Sequence, residues 1–271
     1  EGSHKGHHHY VPTSLVAELT QGGRALPSEH ALVELARTWQ KLELHGRVKT
    51  HGQGETVREL SALMGEPHGP RILEIIGSGQ LDHVHGYERI LSQLYHPHQR
   101  STMIVVLERA LALRSEKLVI EPLEQGKTPT HQAESTPQRQ RREAAEATDA
   151  PRIADKTDVD VGVADGAGGW STIYQMKYLE ANPRSAAPGD VVRPMPDRVV
   201  TAASDASQQL KYADKAQKAK PGGAPARKIV EIRAEASRAD LDPSSYSTAL
   251  RDKLAKLLTN AGTEVHIFST A

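Results

Sequence analysis

The sequence predicts an α+β protein, with a helical first part followed by an α/β domain. Up to about residue 113, apolar side chains recur at i, i+3, i+4 and i+7, the period of an amphipathic helix. From residue 157 the period becomes two, and residues 157–179, 228–234 and 264–268 alternate as strands do. Between the two regimes lies EPLEQGKTPTHQAEST, residues 121–136, whose proline and polar content marks a linker. The expected division is a helical domain over 1–120, a linker over 121–136 and a second domain over 137–271.

A chain of 271 residues suits one large or two ordinary domains. Its 34 Lys and Arg balance its 34 Asp and Glu, so the molecule as a whole is not a generic polyanion binder. A nucleic-acid surface would need local charge segregation. Cysteine is absent, which excludes a disulfide scaffold and a thiolate metal site. No run of about eighteen apolar residues exists, so no membrane-spanning segment is expected. The first residues, Glu1-Gly-Ser-His-Lys, do not read as a secretory signal. Twelve of the 14 histidines precede residue 100, so the two parts differ in chemistry.

In chain order, residues 1–12 hold four histidines, His4, His7, His8 and His9. A helix is expected over 29–44, capped by Ser28, with Leu32, Leu35, Ala36 and Trp39 on one face and His45-Gly46 as its stop. Further helices are expected over 55–64, 71–76, 87–95 and, capped by Ser101, 103–113. Residues 118–120 suit a short strand. The loop histidines (His51, His68, His83, His85, His96, His98) lack a tight ligand spacing and read as surface or capping residues. After the linker, Thr136 and Pro137 open a helix that carries Glu143 and Glu146. An extended lead-in over 152–155 follows. Residues 182–196 contain four prolines and are expected as a loop. A helix over 201–220 then places Lys211, Lys215 and Lys218 at i, i+4, i+7. Residues 228–234 form a strand, 242–260 a helix and 264–268 a last strand.

The most informative stretch is TDVDVGVADGAGGWSTIYQMKYL, residues 157–179, which reads as a β-hairpin turning at Asp165-Gly-Ala-Gly-Gly169. Val159, Val161 and Val163 form one face of the first arm, with Asp158 and Asp160 on the other. Thr172, Tyr174 and Met176 oppose Gln175 and Lys177 on the second arm. Pairing Ala164 with Ser171 keeps both apolar faces together and sets Asp160 across from Gln175 and Asp158 across from Lys177. A slip of one residue would pair the valines with Gln175 and Lys177, which burial disfavours. One face therefore gathers two carboxylates, an amide and a lysine. Such hard oxygen donors suit Mg²⁺ or another divalent cation, which activates water and polarises a phosphodiester. The lysine suits developing negative charge. The same residues also suit a solvated hairpin with a cross-strand Asp–Lys pair worth a few tenths of a kcal/mol.

Asp160 (or Asp158) followed by Gln175-Met-Lys177 resembles the PD-(D/E)XK restriction-endonuclease-like superfamily, in its Gln-X-Lys form. The resemblance covers residues 137–236 and implies a domain with an αβββαβ core, here extended by a helix and a strand. It implies metal ligation by Asp158, Asp160 and Gln175, a catalytic Lys177, and a further acid from the first helix, Glu143 or Glu146. The family's Pro-Asp dipeptide is absent, which leaves the main ligand open between Asp158 and Asp160. Lys211, Lys215 and Lys218 suit either a phosphate backbone or a solvated helix face.

The whole layout resembles the C-terminal toxin regions of contact-dependent growth inhibition (CdiA) proteins. That likeness implies a first part serving passage into the target cell, a nuclease acting on RNA (tRNA) or DNA in the target bacterium's cytoplasm after secretion or surface delivery, and a cognate immunity protein. Two alternatives stand beside it. Gly6-His7-His8 with Pro12 resembles the GHH signature of HNH/endonuclease VII-like toxin nucleases, which would put the chemistry on His7 and His8. The other is a non-enzymatic interaction protein in which Asp160 and Lys177 form a surface pair.

Overall fold

The structure is a computed structural model and describes residues 11–23, 25–113, 118–121, 159–165, 169–182, 192–218 and 223–270. The His4–His9 tract, the linker beyond Glu121, Glu143, Glu146 and Asp158 lie outside the described residues. The chain divides into two compact units, Glu1–Arg114 and Ser115–Ala271.

The first unit is helical: α1 Thr13–Leu19, α2 Glu29–Leu44, α3 Arg47–His51, α4 Gln53–Met64, α5 Gly69–Ser78, α6 Tyr87–Ser92 and α7 Arg100–Ala112. Helix α2 has the expected bounds, and the Ser28 hydroxyl accepts a hydrogen bond from the Ala31 amide at 3.3 Å. Its buried Leu35, Ala36, Trp39 and Leu42 face α5, which contributes Ile72, Leu73 and Ile76. Ser101 does not cap α7, because that helix begins at Arg100. Arg100 is buried, donating to the Leu94 carbonyl (2.8 Å) and pairing with Glu59 (2.6 Å) and Glu66 (2.5 Å). A buried guanidinium is tolerable only when its donors are matched in this way. Two of the histidines here make packing and polar contacts: the His51 ring stacks on Tyr95 at 3.7 Å, and His45 lies 3.1 Å from Asp82. Among the described residues no group of three His, Cys, Asp or Glu side chains could hold a metal ion.

The second unit carries a five-stranded sheet in the order β1 Leu118–Glu121, β2 Val159–Ala164, β3 Trp170–Leu179, β4 Arg227–Ala234, β5 Thr263–Ser269. The pairs β1–β2 and β2–β3 are antiparallel, while β3–β4 and β4–β5 are parallel. Parallel neighbours need a crossover. Helix α8, Met195–Lys218, connects β3 to β4; α9, Arg238–Leu241, and α10, Thr248–Ala261, connect β4 to β5. The fold is thus α+β with a mixed sheet. The segment 118–120, placed by the sequence in the first domain, instead pairs with β2 and belongs to the sheet.

Two other boundaries differ. Helix α8 starts at Met195, inside the stretch expected as a loop, because Pro196 falls in its first turn, where no amide donor is required. The expected helix over 242–260 begins only at Thr248, where the Ser247 hydroxyl accepts from the Leu250 amide at 3.4 Å. Gly262 ends α10 at φ 55°. Among the described residues no helix is long and apolar enough to cross a membrane.

Helices α8 and α10 cover one sheet face. Ile173, Val230, Ile232 and Ala234 of the sheet are buried there with Val199, Val200, Ala203, Ala206, Leu210 and Leu254 of the helices. The other face is also buried at Val161, Val163, Tyr174, Met176 and Ile229. Glu231, with no exposure, sits between these residues and pairs with Arg233 at 3.2 Å. At the hairpin a Cβ on Gly162 would come within 2.3 Å of the Trp170 ring, so glycine is what lets the indole lie over β2.

Near the end of α8, Asp214 is buried, accepts from the Ala226 amide at 2.9 Å, and pairs with Lys218 (2.7 Å) and Lys228 (3.5 Å). Burial pushes its carboxyl up, but the Lys218 and Ala226 bonds and the Lys228 charge outweigh that and hold it below the usual carboxylate value. A depressed folded pKa stabilises the fold above the unfolded value of about 3.9, and this is lost as pH falls through the folded value. Asp214→Asn is therefore expected to lower the melting temperature at pH 7 by more than at pH 3. A deficit of equal size at both pH values would contradict this account. Gly162→Ala is expected to cost about 1–3 kcal/mol in denaturant unfolding, the usual range for overpacking.

Candidate active site

The hairpin pairs Val161 with Tyr174, Gly162 with Ile173 and Val163 with Thr172, the register expected from the sequence. It departs at the turn, where a bulge pairs Ala164 with Trp170 instead of Ser171. One step along that register from Val161, Asp160 comes opposite Gln175. There the Met176 amide donates to Asp160 Oδ2 at 2.6 Å. The carboxylate thus takes a backbone donor of β3 where the β2–β3 ladder ends. Asp160 is 4 % exposed and Gln175 1 %, so both oxygen-bearing side chains lie in a dry environment.

Gln175 and Lys177 pair with Val230 and Ile232 of β4, which places both on the face covered by α8. The helix turns its Arg198, Thr201, Ala202, Asp205 and Gln209 side towards them. Lys177 is half-buried and lines a cavity of about 430 Å³ with Leu179, Arg193, Arg198, Asp205 and Gln209. Among the described residues no carboxylate lies within 4.0 Å of the Lys177 ammonium. The Arg198 guanidinium donates to the Ala181 carbonyl at 3.5 Å, at the end of β3. Next to Lys177, Tyr178 faces the other way and donates to Glu235 Oε1 at 2.9 Å, while Glu235 Oε2 accepts from the Ala181 amide at 2.9 Å. Burial above all, with the Glu235 carboxylate beside it, pushes the Tyr178 phenol up to about 12 against a lowering bond to Thr270. It therefore stays a donor at neutral pH and holds the end of the strand that presents Lys177.

Of the expected set, the structure thus places Gln175 and Lys177 on one face of β3 and Asp160 at the facing register position of β2. Asp158 and Glu143 lie outside the described residues. A carboxylate and an amide carbonyl are hard donors that fit Mg²⁺, and a complete shell would need more oxygens than these two supply. Arg193 escaped the sequence reading because it sits beside Pro194 in a supposed loop, and Arg198 because it fell between that loop and the helix expected from residue 201. The signal was there: Pro196 suits a helix start, and Arg198, Ala202, Asp205 and Gln209 follow at helical spacing.

The three lysines of α8 separate. All are exposed, but Lys218 is paired with Asp214, and Lys211 lines a second cavity, between α8 and α10. No family model, no characterised protein and no solved structure matches this chain.

Proposed function

We propose that this protein is a metal-dependent nuclease that hydrolyses phosphodiesters of RNA, tRNA included, or DNA. The observation that carries the reading is the hairpin register. It sets Asp160 against Gln175 and, two residues on, opens Lys177 into a cavity with Arg193 and Arg198. Asp160 and Gln175, with Asp158 and Glu143 as the remaining candidates, would hold a divalent cation such as Mg²⁺. When bound, such an ion supplies an activated water and polarises the phosphoryl oxygens.

The chain's own residues do the rest. Arg193 and Arg198 hold the anionic backbone against the β3 edge of the cavity. Lys177 has no carboxylate to neutralise it among the described residues, so its ammonium is available to the charge that develops on phosphorus. Burial of Asp160 and Gln175 strengthens their hold on a cation by keeping bulk water away. The order of a helical unit followed by this sheet unit supports the further reading of a toxin delivered from the cell surface or by secretion. Such a toxin acts in a target bacterium and is neutralised by a cognate immunity protein.

The protein is expected to cut mixed tRNA or plasmid DNA with Mg²⁺ and to lose that activity in chelator. Lys177→Ala and Asp160→Asn should each lower the rate by on the order of 10²-fold or more. The Lys177→Ala circular dichroism spectrum should stay that of the wild type. Cutting that survives both variants and disappears in His7→Ala/His8→Ala would move the chemistry to the histidine tract. Arg198→Ala is expected to weaken substrate binding and flatten its salt dependence, with a smaller effect on the maximal rate.

A further inference from the structure

On the flank of α8 away from Lys177, the helix and α10 enclose a second cavity of about 250 Å³. Its lining includes Ser204, Ser207, Gln208, Lys211, Lys253 and Lys256, and among the described residues no acidic side chain lines it. The three ammonium groups come from two helices and are exposed, and among the described residues none has a carboxylate within 4.0 Å. Gathering three like charges around one concavity is unfavourable unless an anion joins them.

A second observation is independent of charge. Ser207 is 2 % exposed, and its hydroxyl has no hydrogen-bond partner among the described residues. A helical serine ordinarily bonds the carbonyl one turn back. Here a buried donor is left over on a residue that lines the same cleft as the three lysines.

We infer that the cleft between α8 and α10 is a binding site for a phosphoryl group, held by Lys211, Lys253 and Lys256 with a hydrogen bond from Ser207. Lysines bind phosphate as mobile point charges, and a hydroxyl adds a directed donor. The phosphoryl group comes either from a nucleic-acid backbone or from free phosphate and its small esters. Residues 204, 207, 208 and 211 line this cleft, whereas 198, 201, 202, 205 and 209 line the other, so the two sites share a helix and no residue. The inference does not depend on nuclease activity.

The test follows thermal unfolding of the full chain in inorganic phosphate at constant ionic strength, with chloride as control. A saturable rise in melting temperature is expected with phosphate and not with chloride. Its midpoint should move to at least tenfold higher phosphate in Lys253→Gln/Lys256→Gln, and to higher phosphate in Ser207→Ala. All three positions can be altered without cutting into the apolar core. A rise that chloride reproduces, or that the double variant keeps in full, overturns the inference. In a second arm a short single-stranded oligonucleotide is titrated in chelator, so that it is not cut. Weaker binding by the double variant, with a shallower salt slope, assigns the phosphoryl group to a nucleic-acid backbone. Equal binding by the two proteins assigns it to free phosphate or a small ester. Lys177→Ala should keep the phosphate response, so loss of cutting and loss of this site are separate results.

Discussion

The second unit depends on how the Gln217 amide fastens helix α8 to the sheet. Gln217 is 3 % exposed, and its Oε1 accepts from the Trp170 amide at 2.6 Å. Its Nε2 donates to the carbonyls of Trp170 (2.9 Å) and Ala224 (2.5 Å). One side chain thus substitutes for a strand partner at the start of β3 and also ties down the approach to β4. Asp214, nearly one turn earlier, fixes Ala226 from the same helix. Buried polar groups are costly unless satisfied, so these bonds allow few other placements of the helix. The axis of α8 over β3 and β4 follows from them, and both cavities lie on the flanks of that axis.

Within this frame the charges segregate. The chain has no net charge, yet Lys177, Arg193 and Arg198 gather on one flank of α8, and Lys211, Lys253 and Lys256 on the other. Asp205 is the acid among the residues named at the first cavity. Bulk composition hid this, because net charge sums over both units and says nothing about which side chains converge. On the hairpin, Asp160 and Gln175 are dry while Lys177 is half-exposed, a contrast that in the proposed nuclease would separate cation holding from transition-state stabilisation along one strand pair. Such a division is what hydrolysis of a phosphodiester requires, since attacking water and leaving charge lie apart.

Local patterns carried much of the structure. The side-chain period of two set the β2–β3 register from Val161 to Val163, because any slip would have exchanged valines for Gln175 and Lys177. The helical period and the Ser28 cap gave α2 its limits to the residue. What was misread lay where local and distant effects compete. Pro196 looked like a loop residue, although as a helix opener it stands ahead of Arg198 in α8. Leu118–Glu121 found its partner in β2 across a long stretch of chain, and no local period announces such a pairing.

By itself, then, the sequence determined the α+β class, the hairpin and the register that sets Asp160 opposite Gln175, because each rests on local side-chain periods and a short turn. Only the tertiary structure decided that β3, β4 and β5 run parallel under crossover helices and that α8 roofs Lys177 with Arg193 and Arg198. It also decided that Lys253 and Lys256 of α10 come to face Lys211. The physical reason is that cavities form between elements. Their lining is set by which helix face is buried and where the helix is pinned, and residues far apart in the chain become neighbours only once that burial is satisfied.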